Sequence, residues 1–227
     1  MPRQDFLQTQ FERFLKRREF PCVGAKSALG KGQIDYFFGR DIRSAWNDLP
    51  LRQALAQFGA RYRQKPTLFR SFVAIFARPL ALEEEEFEAA LWKRCQSLHE
   101  KDIWLGAKWD RAVDPDPNSP HFGLSIGGSA FFVVGLHSAS SRRARRFRYP
   151  TLVFNLHDQF EQLREQGRYI KLRTTILERD EAWSGSVNPM LSTFGEESEA
   201  RQYSGRQVGD EWTCPFKPRL LPSNAPS

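Results

Sequence analysis

Cysteine and histidine are scarce in this chain of 227 residues, and long apolar runs are missing. The 3 cysteines include no CxxC pair and the 4 histidines are scattered, which argues against a disulfide framework and a structural zinc site. The longest apolar run, 130–136, is far shorter than the roughly 20 residues of a membrane helix. The N-terminal segment is charged throughout, unlike a secretory signal, so we expect a cytoplasmic protein without a membrane partner.

The chain also lacks the common signatures of nucleotide-binding and hydrolytic sites. Five residues separate Gly24 from Gly30 where a phosphate-binding loop has four, and Gly32 replaces its Ser or Thr. No GxGxxG or GxSxG motif is present, so the sequence predicts no built-in nicotinamide or flavin site and no serine nucleophile. A thiol pair of Cys22 or Cys214 with a distant histidine has no local signature, which makes a cysteine hydrolase the least favoured class.

What the chain does have is apolar content in regular patterns. Hydrophobic residues make up 40% and aromatic residues 13%, enough for a packed core. Helical spacing predicts helices over 7–15, 51–62 and 83–98, and over 158–183 with an interruption near Gly167. Runs rich in β-branched and aromatic residues predict strands over 34–38, 68–79, 123–126, 130–136 and 149–155. Glycine and proline predict loops over 23–33 and 110–123.

Helices and strands therefore interleave without an internal repeat or a long linker. This order predicts an α+β fold with one domain over 1–227, in which helices flank a mixed or antiparallel sheet. The last stretch carries Met190, Trp212, Cys214 and Phe216, so we expect a C-terminal strap that packs back on the body. Residues 216–227 are a candidate flexible tail.

The net charge of +7 is concentrated in one segment, SSRRARRFRYP. It holds five arginines, most of the basic excess, and follows a buried-looking strand that ends at His137. They are Arg142, Arg143, Arg145, Arg146 and Arg148. A neutral imidazole can ligate iron and arginines can bind carboxylates, so the segment suits haem with its two propionates. An arginine run is also typical of a solvated or nucleic-acid-facing surface, and a single histidine is more often structural.

Several long blocks of the sequence resemble the YqcI/YcgG family. They are FPCVGAKSAL near the start, FFVVGLH with SSRRARRF, YPTLVFNLHDQFEQLR, SGSVNPMLSTFGEESEARQYSGR and WTCPF. The resemblance implies a haem-b-dependent monooxygenase that uses O₂ and a separate electron-donor protein. Its substrate would be arginine or an arginine-like amino acid, hydroxylated on a guanidine nitrogen. Nucleic acid is not favoured as a partner, and the oligomeric state stays open, a homodimer included.

The resemblance also implies site residues. The first choice for the axial iron ligand is His137, followed by His157, Cys214 and Cys22, and a thiolate would favour O–O cleavage. The propionates are assigned to Arg142, Arg145 and Arg146, while Arg143 and Arg148 are expected to face solvent.

The block near residues 188–206 is interpreted either as a wall of the substrate pocket or as a structural loop. Its polar candidates are Asn188, Glu197, Glu199, Arg201, Gln202, Tyr203, Ser204 and Arg206. Glu197 or Glu199 would bind the guanidinium, and Arg201 or Arg206 the substrate carboxylate. The alternative function is a haem-binding or haem-sensing protein without turnover, or a basic nucleic-acid-binding protein.

Overall fold

A computed structural model describes residues 2–190 and 195–220. The helices in this part are α1 (Gln4–Lys16), α2 (Val23–Gly30), α3 (Asp48–Gln64), α4 (Glu84–Trp104), α5 (Asp158–Glu165), α6 (Tyr169–Ser184) and α7 (Ala200–Tyr203). The strands are β1 (Ile34–Asp41), β2 (Ser71–Arg78), β3 (Leu124–Ile126), β4 (Ser129–Leu136) and β5 (Thr151–Leu156). The predicted helices and strands are thus confirmed within a few residues.

The five strands form one open sheet in the order β1-β2-β5-β4-β3. β1 and β2 are parallel because α3 connects them across one face, whereas the other neighbours pair antiparallel. β2 is buried from Ser71 to Ala77 since it has a partner on each side and a cover on each face. The α+β prediction with a mixed sheet is confirmed.

Strand alternation divides the side chains between two faces of the sheet. On the first, here called the core face, Phe72, Phe131 and Phe154 meet α3 and α4 in the largest apolar cluster. On the second, here called the cavity face, Val73 and Val134 lie opposite α1, α2, α5 and α6. This face is only partly filled by side chains, and it holds the site described below.

The predicted loop over 23–33 was wrong, because most of this segment forms α2. Its small and apolar residues pack inward, and Ala28 is fully buried. The glycine read as a breaker, Gly24, instead permits close packing, since a Cβ there would lie 3.2 Å from the ring of Phe69. Tertiary contact therefore overrides the low helix propensity of glycine.

The C-terminal strap packs on the core face, as predicted. Phe216 is buried against Trp92, His99 and Trp109, and Met190 is buried too. Phe216 is thus part of the core and does not belong to a flexible tail; residues 221–227 lie outside the described residues, as do 191–194 of the predicted pocket wall. In the part of the chain described, no helix combines the length and the apolarity needed to cross a membrane.

Candidate functional site

A cavity of about 330 Å³ lies between the cavity face of the sheet and the four helices that cover it. This volume is at the lower end of the range for small-molecule sites. Its walls are mostly apolar side chains from three strands and from α5 and α6. They include Val73, Phe132, Val134, Val153, Leu163 and Ile176. A few polar groups interrupt this surface, and they determine which chemistry the cavity can support.

Cys22, the fourth-ranked ligand candidate, lies in the cavity wall directly before α2. Its Sγ accepts a hydrogen bond from the backbone N–H of Ala25 at 3.4 Å, and the amide of Gly24 also points to it. Burial raises the pKa of the Cys22 thiol, and these two amides oppose that rise. Backbone N–H groups at a helix start favour a thiolate once a cation compensates the loss of water.

Arg145 is the arginine of the predicted cluster that reaches the cavity. Its guanidinium donates to the carbonyl oxygens of Tyr203 at 3.0 Å and Gly135 at 3.5 Å. No carboxylate among the described residues pairs with it within 4.0 Å. Burial lowers its pKa to about 10, although Asp180 opposes this effect. A buried guanidinium that lacks a carboxylate partner is suited to bind an anionic group of a ligand.

Arg142 and Arg146 are not arranged to bind propionates, contrary to the sequence-based assignment. Arg142 is bound to the carboxylate of Asp180 and donates to the backbone oxygen of Ser186 at 2.9 Å. Arg146 is exposed, and its Nε donates to the carbonyl of Ser140 at 2.8 Å. Both guanidinium groups therefore hold neighbouring segments together. The prediction that Arg143 and Arg148 face solvent is confirmed.

His137, the first choice for the iron ligand, lies on the opposite side of the sheet from the cavity. It continues the alternation of β4 on the core face and is 1% exposed. Its ring stacks on Phe87 of α4 with 4.3 Å between centroids, and Nδ1 has no hydrogen-bond partner among the described residues. Burial lowers the pKa of His137 to about 4. The imidazole is neutral, as a ligand must be, but it does not line the cavity and so is not placed to ligate a group bound there.

The other two ligand candidates are also separated from the cavity. His157 follows β5 and lies behind Glu199, with 3.5 Å between its Nε2 and Glu199 Oε1. Cys214 packs on the core face, where burial raises the pKa of its thiol to about 12. Of the four candidate ligands, Cys22 alone lines the cavity.

Three of the eight substrate-pocket candidates line the cavity, namely Asn188, Glu199 and Gln202. The other five do not, because each has a partner elsewhere. Tyr203 is fully buried, with its hydroxyl bound to the Phe131 carbonyl at 3.0 Å. Ser204 and Arg206 bind Glu88, and Arg201 lies between Glu197 and Asp210. Glu197 is exposed, so Glu199 is the candidate carboxylate that faces the cavity.

Glu199 is 6% exposed, and its Oε2 has no hydrogen-bond partner among the described residues. Burial raises the pKa of this carboxyl, while His157 opposes the rise. A carboxylate in this situation gains most from a cationic ligand that donates hydrogen bonds, and a guanidinium group does both. The cavity thus carries a buried acceptor for a cation and a buried receptor for an anion.

Sequence reasoning missed further polar groups of the cavity. These are Ser71, Asn155, Gln159, Arg164, Arg173 and Asp180. Gln159 accepts from the backbone N–H of Arg70 at 2.6 Å and donates to its carbonyl at 2.7 Å, which ties α5 to the start of β2. Asn155 was detectable in part, because strand alternation puts it on the face of Val153. Which face carries a cavity is not visible in that pattern.

The remaining findings concern metal sites and related proteins. No group of three or more His, Cys, Asp and Glu side chains among the described residues is arranged to hold a metal ion, but an axial haem ligand is a single side chain. Comparisons with curated proteins and with solved structures give no significant match. The model of the YqcI/YcgG family matches residues 11–217. Because this match covers most of its length, the chain belongs to the YqcI/YcgG family.

Proposed function

We propose that this protein is a haem-dependent monooxygenase that hydroxylates a guanidine nitrogen of arginine or an arginine-like amino acid. The observation that carries the proposal is the position of Cys22, whose thiol receives backbone hydrogen bonds at the start of α2 in the wall of a largely apolar cavity. The resemblance to the YqcI/YcgG family supports the haem-dependent activity, although it gave Cys22 as the last of four candidate ligands.

The residues of the cavity fit haem b in donor chemistry and in polarity. Cys22 replaces His137 as the proposed axial ligand, and Arg145 is the proposed partner of one propionate. Apolar walls from β2, β4 and β5 suit the faces of a porphyrin and exclude water. When bound through a thiolate, haem supplies O₂ activation with electron donation that favours O–O cleavage.

The protein's own groups would orient the substrate. Glu199 would bind the guanidinium through Oε2, and Asn188 and Gln202 would contact the amino-acid portion. In the overall reaction one oxygen atom of O₂ enters the new N–O bond and the other leaves as water. The two electrons come from a separate carrier protein and the two protons from solvent. The apolar walls would keep bulk water away from the reacting nitrogen.

An absorption spectrum of the purified protein tests the proposal. Protein produced with sufficient haem should show a Soret band at nearly stoichiometric occupancy, and arginine-like amino acids should shift it. Cys22→Ala should abolish the thiolate character of the reduced carbon monoxide complex. His137→Ala, His157→Ala and Cys214→Ala should retain it, and Cys214→Ala is the matched cysteine control. A colourless protein that ignores added hemin would refute the proposal.

Turnover distinguishes the enzyme from the alternative of a haem-binding protein without catalysis. With an electron donor and O₂, the enzyme should form an N-hydroxyguanidine product in proportion to the electrons consumed. Glu199→Gln should raise the KM for arginine at least about tenfold, since a charge-assisted hydrogen bond is lost. Haem binding that gives no N-hydroxy product with any arginine-like amino acid would favour the sensing alternative.

A further inference from the structure

Four cationic side chains surround the segment that leads into Cys22, and together they are called here the Cys22 surface. Arg17 and Arg18 are exposed at the end of α1. Lys26 of α2 donates to the carbonyls of Arg17 at 2.7 Å and Arg18 at 3.1 Å. Arg179 of α6 donates to the carbonyl of Arg18 at 2.7 Å. Three helices thus contribute positive charge to one surface, on which Glu19 is the nearby carboxylate.

Lys26 and Arg179 of the Cys22 surface repel each other, because both donate to the carbonyl of Arg18, at 3.1 Å and 2.7 Å. Lys26 and Arg179 donate hydrogen bonds to backbone carbonyl oxygens, which do not neutralise the positive charge of the two side chains. An anionic surface placed over this region would relieve the repulsion, so the electrostatics favour an acidic partner.

The Cys22 surface lies directly outside the cavity wall that carries the proposed iron ligand. The backbone N–H of Lys26 donates to the carbonyl of Cys22 at 3.2 Å, so the backbone of Lys26 lies one helical turn after Cys22. Arg179 also binds the carbonyl of Phe20 at 3.1 Å, two residues before Cys22. These hydrogen bonds from Arg179 hold the segment before Cys22 in place. Because this segment lines the cavity, an electron carrier docked on the Cys22 surface would be close to the cavity.

We propose that the Cys22 surface docks an acidic one-electron carrier protein, which delivers the electrons for the reaction beside the Cys22 ligand. This inference rests on the function proposed above, because only an electron-requiring reaction needs such a partner. The partner class is an acidic iron–sulfur or flavin carrier. Complexes between electron carriers and their partners are transient and have small interfaces. Complementary charge on the two surfaces increases their rate of association.

A second basic region of the molecule serves as a control for the Cys22 surface. A cleft of about 690 Å³ near the β3–β4 turn includes Lys108 and Arg111. Two other arginines of this cleft already have partners, Arg52 with Asp102 and Arg63 with the hydroxyl of Ser129. The cleft lies beside α3 and α4, on the core-face side, so the sheet separates it from the cavity. A partner bound there would be poorly placed for electron transfer.

The test compares two double variants with the same change in net charge. Arg17→Glu/Arg18→Glu alters the Cys22 surface, and Lys108→Glu/Arg111→Glu alters the cleft. The probes are a plant-type [2Fe–2S] ferredoxin and a flavodoxin, with binding measured by calorimetry and association by stopped flow at low and high salt. The first variant should slow association about tenfold or more at low salt and weaken its salt dependence, whereas the second should change it less than about twofold.

Three outcomes would overturn the inference: no binding of either carrier to the wild type, equal weakening by both double variants, or no effect of the first. Arg17→Gln/Arg18→Gln should give an intermediate rate, which separates loss of attraction from new repulsion. Haem content and reduction by dithionite should be the same in all variants. A wild type that binds no haem would refute the proposed function, whereas haem-loaded protein with unchanged carrier binding would refute the docking surface alone.

Discussion

At the scale of residues, the candidate site depends on two buried ionisable groups whose polar atoms are only partly satisfied by the protein. Arg145 binds carbonyl oxygens, and Glu199 keeps one carboxylate oxygen without a hydrogen bond among the described residues. Burial lowers the pKa of the first and raises the pKa of the second, so each would be more stable beside a charged ligand group. Buried groups of this kind are often functional, which is why these two carry more weight than the exposed arginines.

The buried His137 leads to a prediction about how the free energy of unfolding depends on pH. The folded protein holds it neutral down to a pKa of about 4, below its ordinary value of 6.5. Between these pH values the unfolded chain binds the proton and the folded chain does not, so stability falls as the pH decreases. His137→Gln removes this contribution. Between pH 7 and pH 4 the free energy of unfolding of the wild type should fall by about 3 kcal/mol relative to the variant.

Urea unfolding of both proteins across this pH range measures the difference, and comparison at each pH removes the effect of other titrating groups. His137→Phe, which also cannot be protonated, should show the same pH dependence even if its packing differs. A constant difference across the range would mean that His137 does not titrate on unfolding in the expected way. The interpretation of His137 as a buried, neutral side chain would then be wrong.

At the scale of elements, the position of α6 decides the shape of the cavity. Arg142 holds the C-terminal end of this helix through Asp180 and Ser186, and Leu172, Ile176 and Leu177 of the same helix line the cavity. The helix itself is mostly half-buried, so its own packing contributes less than that of α3 or α4. The buried ion pair therefore acts as a clamp between α6 and the arginine segment.

Breaking this clamp has a predicted cost. Arg142→Met leaves the Asp180 carboxylate buried without its partner, and the protein should lose about 3–5 kcal/mol of stability. Arg143→Met, at the exposed neighbouring position, should stay within about 0.5 kcal/mol of the wild type. Urea unfolding and hydrogen exchange of the α6 amides measure the effect. Equal stability of the two variants would contradict the clamp.

At the scale of the whole molecule, one face of the sheet carries the main hydrophobic core and the other face carries the candidate site. The core face is closed by α3, α4 and the C-terminal strap around a dense aromatic cluster. The cavity face is covered by helices that leave space between them and the sheet. A rigid face behind an incompletely filled one leaves space for a ligand while the core face maintains the fold.

The strap is expected to matter for the stability of the entire fold. Phe216→Ala removes an aromatic ring that is 2% exposed and touches Trp92 and Trp109, so the cost should be about 3–5 kcal/mol. Leu220→Ala, at a position 59% exposed, should change stability by less than about 0.5 kcal/mol. Thermal and chemical unfolding provide the measurement. A small effect at Phe216 would show that the strap is dispensable for the core.

The sequence by itself determined the order and type of nearly all elements, since periodicity and turn residues act over a few neighbouring positions. It also predicted the exposure of Arg143 and Arg148 and the packed strap, although Arg146, assigned to a propionate, is exposed as well. Only the tertiary structure decided the site. Alternation shows that His137 shares a face with Val133, but which face holds the cavity depends on helices distant in sequence. The same distant packing turned residues 23–30 into a helix and brought Cys22, Arg145 and Glu199 to one cavity.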